Sequence, residues 1–287
     1  MPPTSPTFLL ILVCAHILGD FLFPPSRASL IFSRNPLGDA SRLLAYALRH
    51  AVLAFLVSGA VPAWELALTA GALHLALRLI FSWIEQLPPF DAASTPRIRT
   101  GLFGAEHAAY AISFWLAAPP LADSMDLSTS LIFGGPAQWP VAAVIGGTGA
   151  VFTLFAGSRL IERLTSGMLE EMEQQRSQQT ERSEHHGTLE ADGSAVPRHG
   201  LSGGGRWIGL AERALLFLFV IFGMEIAIGF LIAAKSILRF GEIRNRVQRM
   251  EAEYVIIGTL ISFAWGILGG WLTLRAIEGF VGQAPPI

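Results

Sequence analysis

The sequence predicts an all-α protein: a polytopic bundle of about seven transmembrane helices with one disordered polar linker. Three observations carry that expectation. Of the 287 residues, 52% are hydrophobic and only 15% are charged, against about 25% charged in ordinary soluble domains. The apolar residues fall into runs close to the ~20 that a spanning helix requires. One long stretch between two groups of such runs is nearly devoid of large apolar side chains.

The first run, 7–23, follows "MPPTSPT", which has no positively charged leader. It is therefore expected to stay in place as a transmembrane helix rather than be cleaved as a signal peptide. Pro24-Pro25 ends it, because proline lacks the donor that a helix interior needs. Runs 43–61 and 64–83 are separated only by Pro62-Ala63, so they predict a tight helical hairpin. Runs 101–117 and 138–157 complete an N-terminal five-helix transmembrane domain, 1–160. Residues 161–206, with "EEMEQQRSQQTERSEHHGTLEADGSAVPRHGLSGGGR", cannot bury enough surface to fold and are expected to be disordered. A C-terminal transmembrane domain, 207–287, holds the long run 207–240, expected to break near Gly223-Met224-Glu225, and the run 253–276. Within it, Glu225 and Lys235 are candidates to pair across helices, and Gly258, Thr259 and Ser262 suit a close helix contact.

Arginine in short loops sets the expected orientation. Arg27, Arg34 and Arg42 follow the first helix and Arg97 and Arg99 the third, whereas the loop after the fourth has Asp123 and Asp126. The N-terminus is thus expected outside and the linker in the cytoplasm. Nineteen of the 20 basic residues are arginine, Lys235 being the exception. That bias suits a GC-rich bacterial genome, and with it a multi-pass protein of the bacterial inner membrane. The net charge of −2, with no basic surface, gives no reason to expect nucleic acid; the bilayer is the expected partner, and a homo-oligomer is compatible with it. Cys14, the single cysteine, excludes an intrachain disulfide and a cysteine metal cage.

The apolar runs carry ionisable groups that would be costly alone in lipid. His16 and Asp20 lie four residues apart on one face of the first helix; His50, His74 and Glu106-His107 follow in the second, third and fourth. At ~1.5 Å rise per residue, Asp20 lies roughly 5 Å and the others roughly 9–13 Å from the cytoplasmic ends of their helices. Four helices thus contribute polar groups to one layer. Imidazole and carboxylate are the ligands of Zn, Mn and Fe, and bundles bind metals through side chains on facing helices. Hydrogen bonding between helices is the competing reading. Arg78, one turn after His74, favours it, since a guanidinium there would repel a cation or pair with Asp20 or Glu106. His185, His186 and His199 fall in the linker and receive no role.

The strings "AHILGDFLF", "RHA", "LHLALR" and "GAEHAAY", with "GRWIGLAERALL", "AIGFLIAAKSILRFGE" and "AEYVIIGTLISF", resemble a family of bacterial integral membrane proteins known only as a domain of unknown function. The His-x-x-x-Asp pattern is also similar, more weakly, to membrane-bound metal-dependent hydrolases. That second resemblance implies His16, Asp20, His50 and His74 as metal ligands. The first family tends to carry an Asp one turn after the third-helix His, and Asp-Gln-x-x-His in the fourth helix. Here Arg78 and Glu106-His107-Ala108-Ala109-Tyr110 stand at those places, which implies a lost or remodelled site.

Two functions follow as expectations. One is a metal-dependent hydrolase of a membrane-embedded or lipid-linked substrate, with Zn or Mn held by His16, Asp20, His50, His74 and His107 and with Glu106 as general base. The other is a non-catalytic scaffold or small transporter in which the same residues form an ion-pair network with Arg78 and no metal.

Overall fold

The computed structural model describes residues 5–23, 36–59, 63–87, 95–125, 127, 130–133, 138–185, 204–239 and 246–281. Every regular element among them is helical. Pro24-Pro25, Pro62, Arg27, Arg34, Asp126, His186 and His199 lie outside the described residues.

Helix α1, Ser5–Ile17, runs on into a π-helical segment, Leu18–Leu22. Its sequence, SPTFLLILVCAHI, is apolar on every side, and a helix of that kind belongs in a core. Phe8, Ile11, Leu12, Cys14 and Ala15 are indeed all buried, and α1 packs against three other helices. His16 and Asp20 are thereby carried into the middle of the bundle. Helices α2 (Pro36–Ser58) and α3 (Trp64–Ile84) form the expected hairpin. A Cβ on Gly71 of α3 would stand only 3.2 Å from the Ala47 carbonyl oxygen and from Ala51 Cβ of α2, the close approach that small residues permit. Helix α4, Pro96–Ser124, turns Tyr110, Phe114, Ala118 and Leu121 inward, a spacing that keeps them on one face.

Helix α5 (Trp139–Val151) continues through a second π-helical segment, Phe152–Ala156, into α6, Gly157–His185. The polar stretch expected to be disordered from 161 is therefore helical as far as His185. Its Glu, Gln and Arg residues are good helix formers, and α6 needs no nucleus of its own because the apolar helix before it runs straight in.

Helix α7 spans Gly204–Ile221, α8 Glu225–Arg239 and α9 Arg246–Val281. The run 207–240 is broken where expected, and the backbone shows how. Gly223 has φ +65°, Met224 N–H bonds back to Phe219 O at 2.7 Å and Gly223 N–H to Val220 O at 3.2 Å. These are the two bonds of a Schellman helix end, whose left-handed residue is best supplied by glycine. Lys235 pairs with Glu212 of α7, not with Glu225, which is exposed at the start of α8. Gly258 also takes no part in a close contact. The tight crossing lies further along α9, where Gly269 faces Thr153, while Gly149 of α5 faces Thr273. Helix α9 thus packs on α5, α6 and α7, so the chain segments before and after the polar stretch share one packed structure. Arg213 of α7 ties it together, bonding Ser262 Oγ (3.0 Å), the Leu154 carbonyl (3.2 Å) and Ser158 Oγ.

Among the described residues, five helices are long and apolar enough to cross a membrane: Ser5–Leu22, Ala40–Ser58, Trp64–Ile84, Trp139–Met172 and Glu253–Phe280. That is the signature of a membrane protein, and Leu44, Leu48, Val52 and Leu56 along the outer side of α2 suit contact with lipid. Two helices counted among the expected seven, α4 and α7, do not reach that standard. Glu106, His107 and Tyr110 dilute the first, and Arg206, Glu212 and Arg213 the second.

Candidate metal centre

The five expected ligands, His16, Asp20, His50, His74 and His107, come together. Two overlapping groups offer ligand atoms that all lie within 4.8 Å of one another: His16 with His50 and His74, and His16 with Asp20 and His107. The His50 and His74 rings stack with centroids 3.7 Å apart, and the His16 ring lies 5.2 Å from that of His74 and 5.4 Å from that of His107. His50 and His74 are fully buried, and His16 and Asp20 nearly so.

Helix geometry decides which nitrogen each ring presents. Nδ1 of His50 lies 2.9 Å from Tyr46 O, Nδ1 of His74 lies 2.7 Å from Ala70 O, and Nδ1 of His107 lies 2.9 Å from Phe103 O. Each partner is the carbonyl four residues earlier. A carbonyl can only accept, so each Nδ1 carries its proton, and in a neutral ring each Nε2 is then a bare lone pair. His74 Nε2 receives the Nδ1–H of His16 at 3.0 Å, which leaves His16 Nε2 bare as well. Nε2 of His16, His50 and His107 are all buried without a hydrogen-bond partner.

Asp20 faces the same space. Tyr46 donates its hydroxyl to Oδ1 at 2.8 Å. The Asp20 carboxylate also lies 3.2 Å from His50 Nε2, 3.7 Å from His16 Nδ1, 3.9 Å from Arg49 Nη2 and 4.0 Å from His107 Nε2. The bare Nε2 atoms of His50 and His107 thus lie close to carboxylate oxygens. Acceptor against acceptor repels, and in a buried site the repulsion is little screened. A proton or a cation between them removes it. Carbonyl-locked imidazoles around one carboxylate fit a divalent ion, since metal-bound histidines usually give their other N–H to such a partner.

Gly19 makes room for this arrangement. A Cβ there would lie 2.3 Å from His50 Nε2, and the residue sits in the π-helical segment that carries Asp20. Such π-turns recur at functional sites. Gly19→Ala is expected to push the His50 ring out of place and to cost about 1–3 kcal/mol, as overpacking of a core does. Thermal unfolding in detergent measures that loss, and a metal titration of the same variant should show weakened binding.

Arg78 does not enter the cluster. It donates to Glu106 Oε1 at 2.9 Å and to Glu85 Oε2 at 3.1 Å. Of the two counter-ions expected from sequence, it has taken Glu106 and left Asp20 to the histidines. Glu106, the expected general base, is therefore engaged by a guanidinium and belongs to neither ligand group. Sequence reasoning missed Tyr46, Arg49 and Glu85. Tyr46 and His50 stand one helical turn apart on α2, the same spacing that singled out His16 and Asp20, so the signal for Tyr46 was present. Tyr110 lies against the His16 and His74 rings at 4.5 and 4.8 Å and approaches the Tyr46 hydroxyl at 3.4 Å.

Family models, curated proteins and solved structures contain no match to this chain. Its functional reading stands on the geometry.

Proposed function

We propose that this is an inner-membrane protein of a bacterium with a buried divalent-metal centre, and that the centre serves metal-dependent hydrolysis. The observation that carries the metal is the pair of buried Nε2 atoms on His50 and His107 beside the Asp20 carboxylate, with a third on His16 in the same ligand groups, none hydrogen-bonded among the described residues. His74 supports His16 through its hydrogen bond and is itself close enough to ligate. Mixed imidazole and carboxylate donors suit Zn or Mn. Such an ion would supply Lewis-acid polarisation and activation of water. Among the chain's own residues, Tyr46 holds Asp20, Gly19 admits His50, and Glu106 is the carboxylate available to accept a proton once it leaves Arg78.

Metal analysis of the full-length protein, purified without chelators, tests the reading. One divalent ion per chain is expected, with affinity that falls on acidification because the imidazoles must be neutral to ligate. Glu106→Gln should keep the metal and lose turnover. The engagement of Glu106 by Arg78 favours a second reading, a non-catalytic scaffold or small transporter with a buried ion-pair and hydrogen-bond network. That reading predicts a metal-free protein insensitive to chelator and to added Zn or Mn.

A further inference from the structure

The His/Asp centre opens on one side into a cleft of about 250 Å³ between α1, α4, the second π-helical segment and α9. His16 and His107 form part of its wall; most of the rest is apolar, including Val13, Phe114 and Phe152. Three polar atoms on residues of this wall are buried and have no hydrogen-bond partner among the described residues: Nε2 of His16, Nε2 of His107 and Nε1 of Trp265. The His16 side chain is only 9% exposed. The two imidazole nitrogens are the bare acceptors assigned above to the metal, and the Trp265 indole N–H is the one donor among the three.

Two cations stand at the edge of this cleft. The Arg159 guanidinium lies 5.0 Å from the centre of the Phe21 ring, and that of Arg163 lies 4.1 Å from the Phe103 ring. Both rings line the cleft, and both touch His107, with centroids 5.6 and 4.1 Å from its imidazole. Arg163 also reaches the Arg99 carbonyl at 3.3 Å, and the Arg99 side chain pairs with Glu170. An apolar slot with one buried indole N–H on its wall and guanidinium groups beside it describes the complement of an anionic amphiphile. Arginine matches a phosphate especially well, because its planar fork donates two parallel hydrogen bonds.

We propose that the cleft binds a lipid with a terminal phosphate monoester. Its chain would pack between Phe114 and Phe152, and its phosphate would lie near Arg159 and Arg163. As a binding site this stands on the cleft and the arginines; as the substrate class of the metal centre it rests on the metal reading above.

Oleoyl-lysophosphatidic acid is the probe, titrated into the full-length protein in neutral detergent, with and without EDTA, and compared with monooleoylglycerol and inorganic phosphate. The phosphate lipid should bind at least about tenfold tighter than either comparator, a difference of about 1.4 kcal/mol. Ala111→Trp, which fills the cleft from its α4 wall, should lower affinity for the phosphate lipid by a similar factor. The double variant Arg159→Gln/Arg163→Gln should lower it too while leaving monooleoylglycerol binding unchanged, and it decides the matter if Ala111→Trp does not fold. Equal binding of the phosphate lipid and monooleoylglycerol overturns the proposal, as does binding of inorganic phosphate alone as tightly as the lipid. So does indifference to the variants. Lipid binding in a protein that takes up no metal defeats the metal reading alone, and metal uptake without lipid binding defeats this proposal alone.

Discussion

His16→Ala is expected to strip the centre of its metal. His16 belongs to both groups of ligand atoms, the one with His50 and His74 and the one with Asp20 and His107, so its loss opens either set. Removing an outer partner of a metal ligand already costs about 10–100-fold in affinity, and removing a ligand should cost more. The wild type should carry metal through purification and the variant should not, as elemental analysis would report. Stability provides a second readout. A ligand at 100 times its Kd stabilises the folded state by about 2.7 kcal/mol, so EDTA should lower the unfolding temperature of the wild type and leave that of His16→Ala unmoved. A wild-type protein that is metal-free and indifferent to chelator would instead support the non-catalytic network.

Arg78→Ala should produce the largest loss of stability, by a separate route. The Arg78 side chain is 6% exposed and that of Glu106 is 14% exposed. Truncating the arginine leaves the Glu106 carboxylate buried without its counter-ion, and breaking a buried pair in that way costs about 3–5 kcal/mol. Glu85, at 38% exposure, can turn to solvent and adds little. Adding Glu106→Gln to the variant should restore much of the loss, since the uncompensated charge then disappears; a double-mutant cycle measures the coupling. Metal content should survive in Arg78→Ala, because the ion pair and the histidine cluster share no ligand. From sequence the two networks look like rivals for one set of residues. In three dimensions they are neighbours, and both variants should show their effects in the same protein.

Much of this molecule was legible in one dimension because it depends on local properties of the chain. Whether a stretch is helical and apolar enough to span follows from its own residues, and five of the expected runs meet that standard. The break in 207–240 was legible for the same reason: Gly223 can adopt a positive φ wherever the fold places it. The depth of the polar layer followed from counting residues along each helix, and the gathering of His16, Asp20, His50, His74 and His107 agrees with it. One local property was misjudged. The polar composition of 161–185 was read as disorder, although the same residues extend a helix that is already nucleated.

What depth cannot supply is rotation. Arg78 and His74 lie one turn apart on α3, yet Arg78 reaches Glu85 and Glu106 while His74 meets His16. Which partner each side chain finds depends on how α3, α1 and α4 are turned about their axes, and that is settled by close packing at places such as Gly71 against Ala47 and Gly19 against His50. The same holds for Lys235, which found Glu212 rather than Glu225. The cleft beside His16 and His107 needed still more, because Trp265 of α9 and Phe152 of the second π-helical segment reach it from distant parts of the chain. Residue types, the apolar helices and the positions of the polar groups along them were thus determined by the sequence alone. The choice of partners and the shape of the space between them came from packing, because only a packed interface fixes the rotation of one helix against the next.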